Sequence, residues 1–334
     1  MKTYKNIYKN LLSLDYIKSV IILASKGKKK RKQVQKVLEN LDYYANCILE
    51  MLQNKSFYML PSHNKTIIEK GKERVLTISP FFPNRILDYL MTVTLKPIIK
   101  KSMYEYCVGN VDKRGVMYGK KLTEKNFRKY KYFIKLDIHH FYPSVKPELI
   151  MEKIESKIKD KDFIDLCRVV VNSSEDLPIG SYYSQWVSNW LLEELDHKIK
   201  EEWQTEFYIR YVDDMVLMGN NKRKLKRNMY YISKWLVERK LSLKRLENVQ
   251  ICNDKPLDFL GFRYYKDKTT LRLRNFKGIN KKMHKIKKHC CASQARSLIS
   301  RIGWLRQTEL GYLYYGKYIK PTIKMGRLKR LCAI

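Results

Sequence analysis

Three aspartates define the chemistry open to this sequence. Asp137 lies in the run Tyr-Phe-Ile-Lys-Leu-Asp-Ile (132–138), and Asp213-Asp214 separate the apolar runs 206–212 and 215–218, 76 residues further along. Phosphoryl transfer through two divalent ions needs carboxylates that hold the ions about 4 Å apart, one ion activating the attacking hydroxyl and the other the leaving group. A strand end beside a hairpin tip supplies such a set. An isolated Asp-Asp pair is ordinarily an exposed turn. Here strands are expected on both sides of it, and paired acids inside an apolar hairpin are costly unless a metal neutralises them.

Cations suited to a phosphate chain lie upstream. Residues 61–80 read as a strand pair turning at Lys70-Gly71-Lys72, which puts Lys72 and Arg74 on one face of the second strand. The acids need a sheet: 132–138 as a buried strand, 206–218 as a hairpin with Asp213-Asp214 at its tip, and short strands over 249–273. Around it, apolar positions recur at three and four through Tyr8–Ile21, Val34–Leu52 and Ile86–Ile98, and further helices are expected over 147–171, 183–203 and 222–240. The expected class is mixed α/β (α+β). Two basic stretches flank this frame. The run 26–32 contains Lys28, Lys29, Lys30 and Arg31, read as a phosphate contact. From Arg272 to Ile334 there are 17 Lys and Arg against one acid, Glu309, read as two helices, the first carrying Lys281, Lys282, Lys285 and Lys288.

Composition narrows the partner. The 334 residues hold 69 Lys and Arg against 33 Asp and Glu, a net charge of +36, with 25 tyrosines and 44% hydrophobic residues. That apolar fraction excludes wholesale disorder. The charge excess with so many aromatics favours a nucleic acid over a membrane surface or a ribosomal role. Seven cysteines without a C-x-x-C pair disfavour zinc ribbons and disulfide frameworks. No apolar run approaches a membrane span and no signal-peptide core is visible, so a soluble cytoplasmic protein is expected. His284, His289, Cys290 and Cys291 could form a metal knot, but the lysines around them favour a helix facing nucleic acid. His139 and His140 lack ligand spacing; one is expected to face nucleotide or template and the other the core.

In this order the motifs resemble those of the reverse transcriptases. Tyr211-Val-Asp-Asp214 is similar to their Y-x-D-D box, and Ile134-Lys-Leu-Asp-Ile-His-His-Phe-Tyr142 to the first catalytic box. The resemblance implies a right-hand polymerase using two Mg²⁺ ions, with Mn²⁺ as a possible substitute. Asp137, Asp213 and Asp214 would be the catalytic ligands, Asp214 the weaker, with the Ile138 carbonyl a further metal ligand. It makes Tyr142 the ring below the incoming sugar, excluding a 2′-hydroxyl, although ordinary packing accounts for a tyrosine there equally. Gly71-Lys-Glu-Arg74 resembles the fingers strand whose Lys72 and Arg74 hold the triphosphate. Asn84-Arg-Ile-Leu resembles a D-R-I-V helix start, with Asn for Asp. Phe259-Leu260-Gly261 resembles the primer grip. Lys244 sits near the place of a lysine general acid.

One segment discriminates within the family. Leu177-Pro-Ile-Gly-Ser-Tyr-Tyr-Ser-Gln-Trp186 carries Ile179 where glutamine is usual and Gln185 where proline is usual. With Gly180 between them it resembles the form found in diversity-generating retroelements of bacteria and phages, as does Ser297–Trp304. The resemblance implies error-prone, adenine-mutagenic copying of a structured template RNA into cDNA from dNTPs. It also implies a small, basic, helical accessory variability protein. Ile179 offers an apolar surface where an amide would report correct pairing, a difference of ~1 kcal/mol. The competing readings are a defence-associated or other group II-like bacterial enzyme, a retron enzyme, whose thumb motif is not evident, and a non-catalytic RNA-binding scaffold. The expected organisation is a helical N-terminal extension (1–60), fingers (61–130), palm (131–270) and a basic helical thumb (271–334).

Overall fold

The computed structural model describes residues 3–69, 71–288 and 291–333. His289 and Cys290 lie outside the described residues, as do the side chains of Lys72 and Lys288.

Three helices open the chain: α1 (Leu14–Ser25), α2 (Lys32–Glu39) and α3 (Leu41–Gln53). The Ser13 side chain caps α1 by accepting from the Tyr16 amide. The apolar period that runs unbroken from Val34 to Leu52 in sequence is divided at Asn40, whose φ of −122° and ψ of 46° leave the helical region. Next, β1 (His63–Glu69) and β2 (Lys72–Ile78) form an antiparallel hairpin with Ile67 opposite Arg74. The hairpin is two strands only, and Ile68 on it is 76% exposed. α4 (Ile86–Ser102) is the central helix, with Ile86, Leu87, Leu90, Met91 and Leu95 fully buried, and α5 (Val116–Lys129) follows.

The central sheet begins with β3 (Tyr132–Asp137). Helices α6 (Phe141–Ser144), α7 (Pro147–Lys157), α8 (Lys161–Val171), α9 (Tyr182–Leu191) and α10 (Glu193–His197) intervene before β4 (Phe207–Tyr211) and β5 (Asp214–Gly219). The expected helix over 147–171 is two, because Asp160 caps α8 by accepting from the Phe163 amide. α11 (Lys222–Val237) and β6 (Gln250–Ile251) complete the layer, whose strand order is β4-β5-β3-β6, antiparallel throughout.

Strand alternation gives this sheet two different cores. Ile134, Leu136, Met215 and Leu217 point into a large core shared with α1, α4, α8, α9 and α11. Phe133, Val216, Met218 and Ile209 point into a second core. That core is walled by the small sheet β7 (Leu257–Phe259), β8 (Phe262–Tyr264), β9 (Thr269–Leu271) and by the C-terminal helices. There the two expected helices are four: α12 (Leu273–Lys288), α13 (Ala292–Leu305), α14 (Glu309–Tyr314) and α15 (Met325–Ala333). Thr308 caps α14, and a turn at 320–324 separates it from α15, so short helices form where the apolar period gave few repeats. No helix among the described residues is long and apolar enough to cross a membrane.

Candidate active site

The β4–β5 hairpin turns in two residues. Tyr211 pairs with Asp214, leaving Val212 and Asp213 as the turn. Val212 has φ +58°, a left-handed conformation that a β-branched residue adopts at a cost of about 1–3 kcal/mol. A buried polar assembly holds it there. The Arg210 guanidinium donates to the Val212 carbonyl (2.9 Å), to the Asn189 side-chain oxygen (2.9 Å) and, through Nε and Nη2, to both Asp196 oxygens (2.7 and 2.5 Å). Tyr208 donates to Asp196 (2.7 Å), and Asn189 donates to the Gly109 carbonyl (2.7 Å). Arg210, Asp196 and Asn189 have no exposed surface. Gly109 allows the closest approach, because a Cβ there would stand 2.8 Å from the Val212 nitrogen.

The register places Asp137 directly opposite Asp214 on β3 and β5, with Lys135 two residues back on the same face. Lys135 Nζ lies 3.2 Å from Asp214 Oδ1, and Lys244 Nζ lies 3.8 Å from Asp137 Oδ2. The segment 242–244 runs beside the exit of β3: His139 N donates to Ser242 O (2.8 Å), Ile138 bridges Leu243, and Lys244 N donates to Asp137 O (2.8 Å). Asp213 is the most enclosed of the acids. Burial first, then the charges of Asp214 and Asp137, push its carboxyl up to about 6.

Two adjoining cavities open over these acids. One, of about 740 Å³, is lined by Asp137, Asp213 and Asp214 and by the cations Arg74, Lys135, Lys244, Arg245, Arg272 and Arg274. The other, of about 870 Å³, shares Arg74, Tyr142 and Asp213 and extends past Thr77, His140, Asp176 and Ile179. Acids on the floor and cations on the walls suit a polyphosphate carried with divalent ions.

The structure therefore brings together Asp137, Asp213, Asp214, Arg74, Tyr142 and Ile179. Gly180 borders this group at φ +121°, where a Cβ would stand 3.0 Å from the Thr77 carbonyl oxygen. Gln185 is exposed on α9, outside the lining of both cavities. Phe259 is fully buried, while Leu260 (φ +53°) and Gly261 (φ +85°) form the two-residue turn between β7 and β8. Gly261 faces the C-terminal helices: its carbonyl accepts from Arg272 N (3.0 Å), and a Cβ would stand 3.0 Å from the Trp304 ring. Of the basic run, Lys29, Lys30 and Arg31 are exposed, but Lys28 folds back over the Tyr89 ring (5.4 Å). Burial, then Arg85 and Arg31, lowers its pKa. Lys281 and Lys285 are exposed on α12 and Lys282 is half-buried. His139 and His140 are both exposed, so neither enters the core as expected; a left-handed His140 (φ +41°) turns the chain outward there. Asn84 exchanges two bonds with the Leu60 backbone (2.9 and 2.8 Å).

The carboxylates fit divalent ions in a particular way. Among the described residues no three His, Cys, Asp or Glu side chains already form a metal cage. Mg²⁺ ordinarily takes one or two carboxylates and completes its shell with water and substrate phosphates, and hard oxygen donors suit it. The register pair Asp137/Asp214 beside an Asp213 raised by burial and by its like-charged neighbours is such a donor set.

Sequence reading passed over Arg210, Asp196, Asn189, Asp88 and Lys135. For Arg210 a signal was available: a cation inside the apolar strand Phe207-Tyr-Ile-Arg-Tyr211 must find a buried partner.

The family model for reverse transcriptase (RNA-dependent DNA polymerase) matches residues 60–264, more than half of the chain. The retron Ec73 reverse transcriptase of Escherichia coli is 30% identical over 108 residues, covering 28% of this chain and 34% of that protein. The chain thus aligns with about a third of that curated relative's length. Among solved structures, the telomerase of Candida albicans in complex with a TWJ fragment of telomeric RNA matches 78% of this chain and 55% of its own, at 12% identity and a TM-score of 0.47. The truncated apo telomerase of Candida tropicalis matches 66% and 58%, at 15% identity and a TM-score of 0.45. The family match spans β2, the strand of Asp137 and the hairpin of Asp213 and Asp214 alike, and by it the chain belongs to the reverse transcriptase (RNA-dependent DNA polymerase) family.

Proposed function

We propose that the chain is an RNA-directed DNA polymerase whose catalytic carboxylates are Asp137, Asp213 and Asp214. The observation that carries this is the pairing of Asp137 with Asp214 across β3 and β5, with Asp213 in the adjoining turn and a wall of cations facing them. When bound, two divalent ions activate the primer 3′-hydroxyl and stabilise the leaving pyrophosphate. The chain's own residues do the rest. The acids, with the Ile138 carbonyl, would hold the ions; Arg74, with Lys72 on the same strand, receives the triphosphate; Tyr142 closes the floor against a 2′-hydroxyl. Leu260 and Gly261 present the primer end, and the basic faces of α12 and the 29–31 turn hold the duplex. Fingers, palm and thumb divide the chain near residues 130 and 270 in this reading, with 1–60 as a helical extension.

Within that activity we propose an error-prone enzyme of the diversity-generating retroelement type, served by a basic accessory protein and a structured template RNA. Ile179 supports this reading: it lines the second cavity beside Tyr142, an apolar side chain where an amide would report base-pair geometry. A retron reverse transcriptase is the competing reading, raised by the retron relative.

The test is primer extension on an RNA template with dNTPs and Mg²⁺, followed by cDNA sequencing, for the wild-type chain and Asp213→Ala. The polymerase reading expects synthesis that the variant loses, and the retroelement reading expects errors concentrated opposite template adenine. Accurate cDNA overturns the second reading alone. Absence of synthesis, even with native RNA and accessory protein, overturns the first.

A further inference from the structure

Helix α11 carries an arrangement that its own stability does not explain. Its inner face, Leu225, Met229, Ile232, Trp235 and Leu236, is buried against the palm. Its outer face holds two rows at i, i+4 spacing, Lys222-Lys226-Tyr230-Lys234 and Arg223-Arg227-Tyr231, with steps of about 6 Å along the axis. Like charges at that spacing destabilise a helix. Lys222, Arg223 and Lys224 also fill the first turn, which contains no acid, at the positive end of the helix dipole. Some other cations around the central sheet are matched, as in Arg239–Glu194 and Lys198–Glu202. The five outer-face cations of α11 make no ion pair among the described residues.

The tyrosines make this more than excess charge. Tyr230 is 64% exposed and Tyr231 37%. Tyr231 lies against Trp203 (5.5 Å between ring centres) and Tyr230 (6.3 Å), with Arg227 above its ring at 5.9 Å. Exposed rings interleaved with cations form a stacking platform for unpaired bases, with phosphates neutralised alongside.

This platform is separate from the catalytic cleft. α11 packs on the sheet face of Ile134, Leu136, Met215 and Leu217, whereas alternation puts Lys135, Asp137 and Asp214 on the opposite face. We propose that the outer face of α11 is a second docking surface, specific for single-stranded RNA, that holds part of an RNA strand on the far side of the palm from the reacting end. Rings that stack on bases, set between cations that neutralise the adjoining phosphates, are the chemistry of an unpaired RNA strand.

The test uses the full chain and a 20-nucleotide oligouridylate containing 4-thiouridine, for photocrosslinking with peptide mapping and for affinity by anisotropy across a salt series. Crosslinks are expected in the peptide containing Tyr230 and Tyr231 as well as in the cleft. Tyr230→Ala/Tyr231→Ala should weaken binding about tenfold. Lys226→Gln/Arg227→Gln should reduce the salt slope by about 0.7 per cation removed. Primer extension on a short pre-annealed primer–template should be unchanged in both, which separates failure here from failure of the polymerase reading. Crosslinks confined to cleft peptides, or wild-type affinity in the tyrosine variant, overturns the proposal. So does equal loss of binding to oligouridylate and to phosphatidylserine vesicles, the signature of unspecific charge.

Discussion

The Thr77 amide donates to the Ile179 carbonyl at 2.9 Å, and this bond ties the strand of Arg74 to the loop that lines the second cavity. The side chain of Ile179 is left free to line the cavity. Because the anchor is backbone, Ile179→Gln should keep the loop in place and change only what the base pair touches. Misincorporation opposite template adenine is expected to fall about fivefold, the equivalent of ~1 kcal/mol. Single-nucleotide insertion kinetics check this, and an unchanged error ratio would remove Ile179 from the fidelity argument.

The same loop is held from behind by Asp88, which is 3% exposed and accepts from the amides of Tyr182 (2.8 Å) and Tyr183 (2.9 Å). Arg85 reaches the Gly180 carbonyl at 2.6 Å. Asp88→Asn replaces one acceptor oxygen by a donor facing an amide. Destabilisation by about 1–3 kcal/mol is expected, with a raised KM for dNTP and a smaller change in kcat. Denaturant melts and steady-state kinetics measure the two parts separately.

Gly109→Ala would force a methyl group into the Val212 backbone. The hairpin tip must shift, and Asp213 with it. At least a tenfold loss of kcat is expected, since a misplacement of about 1 Å can cost a hundredfold. Circular dichroism should remain native, and loss of the folded signal instead would assign Gly109 to folding alone.

Arg210→Met leaves Asp196 charged and buried, at a cost of about 3–5 kcal/mol. Adding Asp196→Leu should recover much of that stability, because a buried ion pair is often no better than apolar packing. Activity should not return, since the Val212 carbonyl still lacks its donor. Recovery of both together would show that the pair only stabilises.

His197 gives a pH dependence. Burial opposes its charge, but the Ser102 carbonyl (2.8 Å) and the Glu201 carboxylate (2.6 Å) outweigh it and raise the pKa above 6.5. A raised folded value means the contribution is full below the unfolded pKa and is lost as pH rises through the folded one. His197→Gln should therefore lower Tm by about 1–2 °C at pH 5.5 and by less at pH 8.5. An equal decrement at both pH values would point to packing rather than charge.

The elements that carry the acids were legible because their signals are local. Four apolar or aromatic residues among the five leading to Asp137, and an Asp-Asp pair between two apolar runs, specify strand and turn wherever the chain goes. Asn40 and Asp160, which divide expected helices, also carry local signals, but apolar periodicity passes over them. What sequence could not give is convergence. Arg210 meets Asp196 and Asn189 only once α9 and α10 pack against β4, and Asp88 meets the 182–183 amides across 94 residues. The fold of residues 271–333 was half-read for the opposite reason: its short helices lack enough repeats for a period to show, and tertiary contact with β8 and β9 defines them.

The central sheet is a partition rather than a floor. Phe133, Ile209 and Val216 on one side share their oil with Phe262, Leu271, Leu298 and Ile302. Cutting the chain at residue 270 would therefore not detach a module; it would strip one wall from a sealed compartment and wet the sheet face that also carries Asp137 and Asp214. Grafting these C-terminal helices onto another sheet demands transplanting the matching sheet face with them.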